Sequence, residues 1–232
     1  MTLVVIFQGT DGLVLAADSR GTFIGDPRGL TIITDSMVKM FKLTKYVGTV
    51  VYGQEELAAQ LVIEVQKSLT PQDLYVSQVL EKIRSILRSK YEDWFKAIPM
   101  ENRPVVGFIL GGLEEDGSAK IYFLSSPLDF APQLCVTKVA LGGIPQYAAY
   151  LTRRLYNPEM SRKHLIPLAI YVISETATQD PRVGGPIRVA EISMDKGYIE
   201  LEQKYIEEVI KRNEGINKRL RGFFFREEAE RI

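Results

Sequence analysis

One cysteine and one histidine stand among 232 residues, and each scarcity removes a class of chemistry. The lone Cys135 cannot close an intramolecular disulfide or build a multi-cysteine zinc site, and a reducing, cytoplasmic setting is expected on that ground. Catalysis of the Ser-His-Asp or Cys-His kind would have to use His164. That residue lies in Met160-Ser161-Arg162-Lys163-His164-Leu165, near the start of a helical pattern, where a solvated or capping role is the plain reading. The run Gln133-Leu134-Cys135-Val136-Thr137 contains no nucleophile turn. Charge of one sign is lacking too. Lysine plus arginine and aspartate plus glutamate number 29 each, so no net field argues for a nucleic-acid or membrane partner. No apolar run approaches the roughly 20 residues of a membrane helix. The chain also enters a strand pattern at once, without the charged segment and cleavage site expected of a secretory signal.

What is present is a chain with 46% apolar residues, expected to form a single domain over residues 1–232. Thr2 to Phe7 and Leu13 to Asp18 read as two strands joined through Asp11-Gly12, a dipeptide suited to tight hairpins. Such a hairpin brings Thr2 beside Asp18. The stretch from Ile24 to Gly29 is turn-rich, Leu30 to Ile33 reads as an edge strand, and Tyr46 to Tyr52 as another strand ending at Gly53. Between them Lys39 sits among apolar neighbours, either as a partly buried ammonium in need of a carboxylate or as a lysine snorkelling from a strand edge. Gln54 to Leu69 is helical, and Thr70-Pro71 predicts the cap and first turn of a second helix running to about Lys96, with a buried stripe from Leu74 to Trp94.

Three further runs, Val105 to Leu110, Ala119 to Leu124 and Gln133 to Lys138, predict an antiparallel meander. After Gly142-Gly143, helices are expected from about Ile144 and from Ser161 to Thr178. A strand pair follows at Ile187–Ile192 and Gly197–Glu200, and a charged helix from about residue 200 closes the chain. Strands, two helices, strands, two helices, strands: this order predicts an α+β fold, a four-layer αββα sandwich of two antiparallel sheets between helix layers.

A threonine at a chain start has a chemical use. A hydroxyl is a weak nucleophile until a base takes its proton, and a free α-amine, with an ordinary pKa of about 8, is such a base. Removal of Met1 must come first, and is expected because the next residue is small. The plain alternative is a β-branched residue opening a strand. Gly53, between strand and helix, can expose an amide to a developing oxyanion or simply make the turn.

In order and spacing these residues resemble the proteasome β-type family of N-terminal nucleophile hydrolases over nearly the whole chain. The likeness is carried by the Thr2 start, by Leu15-Ala16-Ala17-Asp18-Ser19-Arg20-Gly21-Thr22, by Lys39 with an apolar residue after it and then Leu43, by Gly53, and by Asp180-Pro181-Arg182-Val183-Gly184-Gly185. A nucleophile directly after Met1 is similar to the peptidase subunit of the bacterial two-component ATP-dependent protease. The resemblance implies a bacterial or archaeal proteasome-like homologue with Thr2 as nucleophile, its own amine as base, and Asp18 and Lys39 as the supporting ion pair. It further implies Gly53 as oxyanion donor, Asp180 in the active-site network, and Arg20 and Thr22 along the substrate strand.

Neither a cofactor nor a metal is expected. The implied partners are a polypeptide substrate, further copies in a homo-oligomeric ring of six or seven, and an ATPase or regulatory protein. Two serines that orient the amine in the family are missing, where this chain has Leu141-Gly142-Gly143 and Val183, and the Ile24–Ser36 stretch is long. The leading expectation is a threonine peptidase. The alternatives are a catalytically silent ring subunit and a transpeptidase or amidohydrolase on the same fold.

Overall fold

The first apolar run is buried on both faces, and this decides where it lies. In the computed structural model, which describes residues 2–24, 31–72 and 74–225, Leu3–Gly9 forms β1 and turns back through Thr10 and Asp11 into β2, Gly12–Ala17. Leu3, Val5 and Phe7 point to one side and Val4 and Ile6 to the other, as the two-residue period of a strand requires. Both sides are apolar, so layers must cover both.

The chain continues as β3 (Gly21–Ile24), β4 (Thr31–Thr34), β5 (Met40–Lys42), β6 (Val47–Gly53), α1 (Glu55–Ser68) and α2 (Val76–Phe95). Then come β7 (Val106–Leu113), β8 (Ala119–Ser125), β9 (Gln133–Leu134), β10 (Val139–Gly143), α3 (Gln146–Leu155), α4 (Arg162–Gln179), β11 (Arg188–Ser193), β12 (Gly197–Glu200) and α5 (Gln203–Phe225). One antiparallel sheet has the order β10-β1-β2-β11-β12 and the other β5-β6-β7-β8-β9, while β3 and β4 form a separate ribbon. Leu3, Val5, Phe7, Val14 and Ala16 pack under Leu165, Ala169, Ile173 and other residues of α3 to α5. Val4, Ile6, Leu13 and Leu15 meet Val50, Ile109 and Ile121 across the sheet interface. Val47, Val51, Phe108 and Leu110 lie under Ala58, Val62, Ile83 and Leu87 of α1 and α2. The order of layers is therefore helix, sheet, sheet, helix, the expected αββα sandwich.

Three local expectations are corrected. The second helix begins at Val76, not at Thr70-Pro71. Leu74 and Tyr75 are held out of it because the Leu74 carbonyl accepts the Thr44 hydroxyl at 2.7 Å and the Tyr75 ring stacks on Tyr46, while Gln78 Oε1 caps both their amides. Trp94 is exposed, since the buried stripe passes through Val76, Val79, Ile83, Leu87 and Tyr91. The third meander strand, expected to run to Lys138, stops at Leu134, and the chain crosses to the other sheet as β10, a strand that the sequence did not predict. Leu30 and most of the turn-rich stretch before it lie outside the described residues, but Thr31–Thr34 pairs only with β3 and is an edge.

The sheet-to-sheet layer is covered by a sheet on each side. Ile109→Ala, at a fully buried position there, is expected to cost about 2–5 kcal/mol. Exposed Met100→Ala should stay within about 0.5 kcal/mol. Urea unfolding with an unchanged m-value checks both.

Candidate active site

Strand β1 begins where antiparallel β2 ends, so the hairpin alone puts Thr2 beside Asp18. The Thr2 hydroxyl donates to Asp18 Oδ1 at 2.7 Å, and the Leu3 amide donates to the same oxygen at 2.9 Å. The Lys39 ammonium is the third donor to it, also at 2.9 Å. The other carboxylate oxygen, Oδ2, accepts the amides of Arg20 at 3.2 Å and Gly184 at 3.1 Å. Thr2, Asp18 and Lys39 are all buried, Lys39 completely. Five donors on one buried carboxylate leave it no further demand for solvent.

Lys39 enters from just before β5, where its carbonyl still accepts the Val51 amide and so stays in register with β6. Its ammonium also donates to the Arg20 carbonyl at 2.5 Å. The sequence left open whether this lysine is buried or snorkels; it is buried, and its first carboxylate partner is Asp18. A second carboxylate, Glu55, lies 3.7 Å from the same nitrogen. Burial pushes the Glu55 carboxyl up from the ordinary glutamate range, and the Lys39 charge pulls the other way. Sequence reading missed Glu55 because an acidic residue in a first helical turn is ordinarily a solvated one that favours the helix dipole. Its signal was the position directly after the Gly53 turn.

The loops around Asp18 brace one another. The Arg20 guanidinium grips Asp35 at 2.8 and 2.9 Å and donates to the Pro181 carbonyl at 3.0 Å, so the side chain ties the β3 entrance to the 181–185 loop. This bidentate pair lowers the Asp35 carboxyl and raises Arg20. The Ser19 amide donates to the Gly184 carbonyl and the Met37 amide to the Ser19 carbonyl, both at 3.0 Å. Asp180 caps α4, and its carboxylate takes the Arg182 amide and guanidinium at 2.7–2.9 Å, an interaction that lowers its pKa. These contacts point to Arg182, with the 181–184 segment leading on to the Gly184 amide at Asp18. Thr22 is paired with Ile33, which leaves the other edge of β3 outside that ribbon. His164 is exposed in the first turn of α4, its Nδ1 lying 3.1 Å from Ser161 Oγ.

Two glycines shape the mouth of the site. Gly53 has φ +91° and sits exposed at the end of β6, where a side chain would strike the Val105 carbonyl. Gly143 has φ +90°, and a Cβ there would lie 1.9 Å from the Thr2 carbonyl oxygen. The Thr2 carbonyl is in turn bonded by the Ile144 amide at 2.8 Å. Tyr52, from the second sheet, lies against Gly142 and Gly107, and burial raises its phenol pKa. Val183 is wholly buried in the helix-facing core. Among the described residues no cluster of three His, Cys, Asp or Glu side chains gathers to hold a metal, and no helix is long and apolar enough to cross a membrane.

Residues 2–192 match the family model described as "Proteasome subunit". The chain is 27% identical over 211 residues to proteasome subunit beta 1 of Hyperthermus butylicus, covering 86% of this chain and 92% of that protein. Its backbone is similar to Anbu, the ancestral beta-subunit, from Yersinia bercovieri, with a TM-score of 0.71 at 15% identity over 96% of both chains. It is also similar to the helical assembly of the Anbu complex from Pseudomonas aeruginosa, with a TM-score of 0.72 at 16% identity over 94% of this chain and 95% of that one. At these identities the solved structures speak for the fold.

The close approach at Gly143 has a direct consequence for any attempt to restore the missing hydroxyl. Gly143→Ser is expected to destabilise the protein by at least about 1–3 kcal/mol, because a non-glycine residue there is strained even before it meets the Thr2 carbonyl. A thermal melt compared with Gly215→Ser, where nothing lies near the new Cβ, checks it.

Proposed function

Because the chain belongs to the proteasome subunit family, we propose that it is an N-terminal threonine hydrolase, a peptidase that acts by acyl transfer to Thr2 within a homo-oligomer. The observation that carries this reading is the oxygen shared by Thr2 and Lys39: the hydroxyl and the ammonium both donate to Asp18 Oδ1, so a cation is fixed beside the oxygen that would attack. Once the residue before Thr2 is removed, its α-amine takes the hydroxyl proton, through a water, as Oγ1 bonds to the peptide carbonyl carbon. Negative charge then develops on the carbonyl oxygen, which the Gly53 amide receives. The amine passes its proton to the departing peptide nitrogen, the C–N bond breaks, and an ester to Thr2 remains. Water hydrolyses that ester by the same route in reverse.

In this reading Asp180 holds the Pro181–Gly185 loop against the site. The outer edge of β3 at Thr22, with the Arg20 main chain, accepts the substrate as an added strand. The substrate is a polypeptide, and assembly limits its access; the helical assembly described for the Pseudomonas aeruginosa Anbu complex supports an oligomer. A ring of six or seven copies, a cytoplasmic location and an ATPase or regulatory partner belong to the same proposal. The second reading, a silent subunit, is favoured by Gly143 and Val183, neither of which offers a hydroxyl to orient the amine.

Labelling separates the two. A peptide epoxyketone needs both the hydroxyl and the free amine of one residue, and is expected to add its mass once per chain, at Thr2, and not to Thr2→Ala. The rate should be slow, since misplacing a general base forfeits up to about 10²- to 10⁴-fold. Intact mass after prolonged incubation is the readout. An unmodified protein whose first residue is Thr2 would establish the silent subunit.

A further inference from the structure

Lys39 lies against two carboxylates, Asp18 and Glu55, and the threonine mechanism assigns a task to one of them alone. Its ammonium has three N–H donors. Asp18 Oδ1 at 2.9 Å and the Arg20 carbonyl at 2.5 Å take two, both from the strand side. Glu55 Oε1 stands at 3.7 Å, from the first residue of α1. That separation is an ion pair at Coulombic range, longer than a hydrogen bond. Glu55 is nonetheless buried, where a carboxylate persists as an anion only if something compensates it. The start of a helix supplies part of that compensation and the Lys39 ammonium another part.

Asp18 is already committed to four other donors, so its charge is shared among five groups. The completely buried lysine therefore draws on a second anion. Asp35 feels the Lys39 charge too, but its carboxylate is held in a bidentate pair by the Arg20 guanidinium, and Asp180 is held by Arg182. Gly143 and Val183 supply no side-chain oxygen.

We propose that Glu55 is a positioning residue of the threonine site, holding the Lys39 ammonium charged and in place from the helix side while Asp18 holds it from the strand side. Its catalytic consequence rests on the threonine-nucleophile reading; its hold on Lys39 does not. Burial displaces the Glu55 carboxyl upward, and the Lys39 charge opposes that displacement. If Glu55 is lost, the ammonium keeps one shared anion, and its proton becomes easier to remove.

The test follows the Lys39 side-chain Cε resonance against pH in lysine-labelled full-length protein, assigned with Lys39→Arg, alongside the pH profile of β-lactone labelling. In Glu55→Gln the Lys39 midpoint is expected to fall by about 1–3 pH units, the size of effect that an opposite charge at this range exerts. The alkaline limb of the labelling profile should fall with it. Glu55→Asp, which withdraws the charge by one methylene, should lie between, and carries the test alone if Glu55→Gln does not fold. A fall in the midpoint of a protein that is never labelled upholds the positioning role and sinks the peptidase reading instead. An unmoved Lys39 midpoint in both folded variants overturns the proposal, even if labelling slows uniformly at every pH.

Discussion

The carboxylate of Asp18 is the constraint on which the site depends. It receives the Thr2 hydroxyl, the Lys39 ammonium and the Leu3, Arg20 and Gly184 amides, groups drawn from β1, the segment before β5 and two loops. A buried anion with this many donors is not mainly a source of stability, since desolvation consumes most of what the bonds return. What it supplies is position. Removing any partner leaves an uncompensated charge or dipole at a cost of about 3–5 kcal/mol for an ion pair, so the five groups hold one arrangement together. The αββα sandwich makes this affordable by fixing β1 and β2 through apolar packing on both faces before any polar contact is asked to order them.

That division of labour explains what could be read from the residues. The β1–β2 hairpin and the two sheets were legible because apolar runs and a turn dipeptide are local signals, and the hairpin fixes the Thr2–Asp18 approach by register alone. Lys39 was legible as a candidate because a charge among apolar neighbours must be explained. Strand β10 was not, since Leu141-Gly142-Gly143 carries the composition of a turn. Those glycines are there because Tyr52 and the Thr2 carbonyl come too close for side chains, which is a tertiary fact. The same holds for the start of α2: Thr70-Pro71 has good capping chemistry, yet Thr44 and Tyr46 claim Leu74 and Tyr75 first. Glu55 was hidden because its meaning comes from a lysine sixteen positions earlier in the sequence.

Arg20 divides its contacts between backbone and side chain. Its backbone joins the site at both ends, the amide on Asp18 and the carbonyl on Lys39. Its side chain turns away to Asp35 and Pro181 and bolts the ribbon of β3 and β4 to the loop that carries Gly184. The guanidinium is suited to this because one planar fork can satisfy a carboxylate and a carbonyl at once. A lysine has donors enough for both partners but lacks the fork that grips both Asp35 oxygens.

Charge balance gives the last step. Asp18 and Glu55 carry two negative charges and Lys39 one positive, so the network is one charge short of neutral when all three are ionised. In the threonine-nucleophile reading, acylation turns the neutral α-amine of Thr2 into an ammonium while an oxyanion forms at the substrate. An environment with one excess negative charge favours the first half of that separation, and a backbone amide at Gly53 together with the Lys39 charge favours the second. Hydroxyls at 143 and 183 would guide the proton but would not alter this sum. With Gly143 pressed against the Thr2 carbonyl and Val183 taken into the core, neither position brings a hydroxyl to the site, and in that reading the charges of Asp18, Lys39 and Glu55 set the balance in which the proton moves.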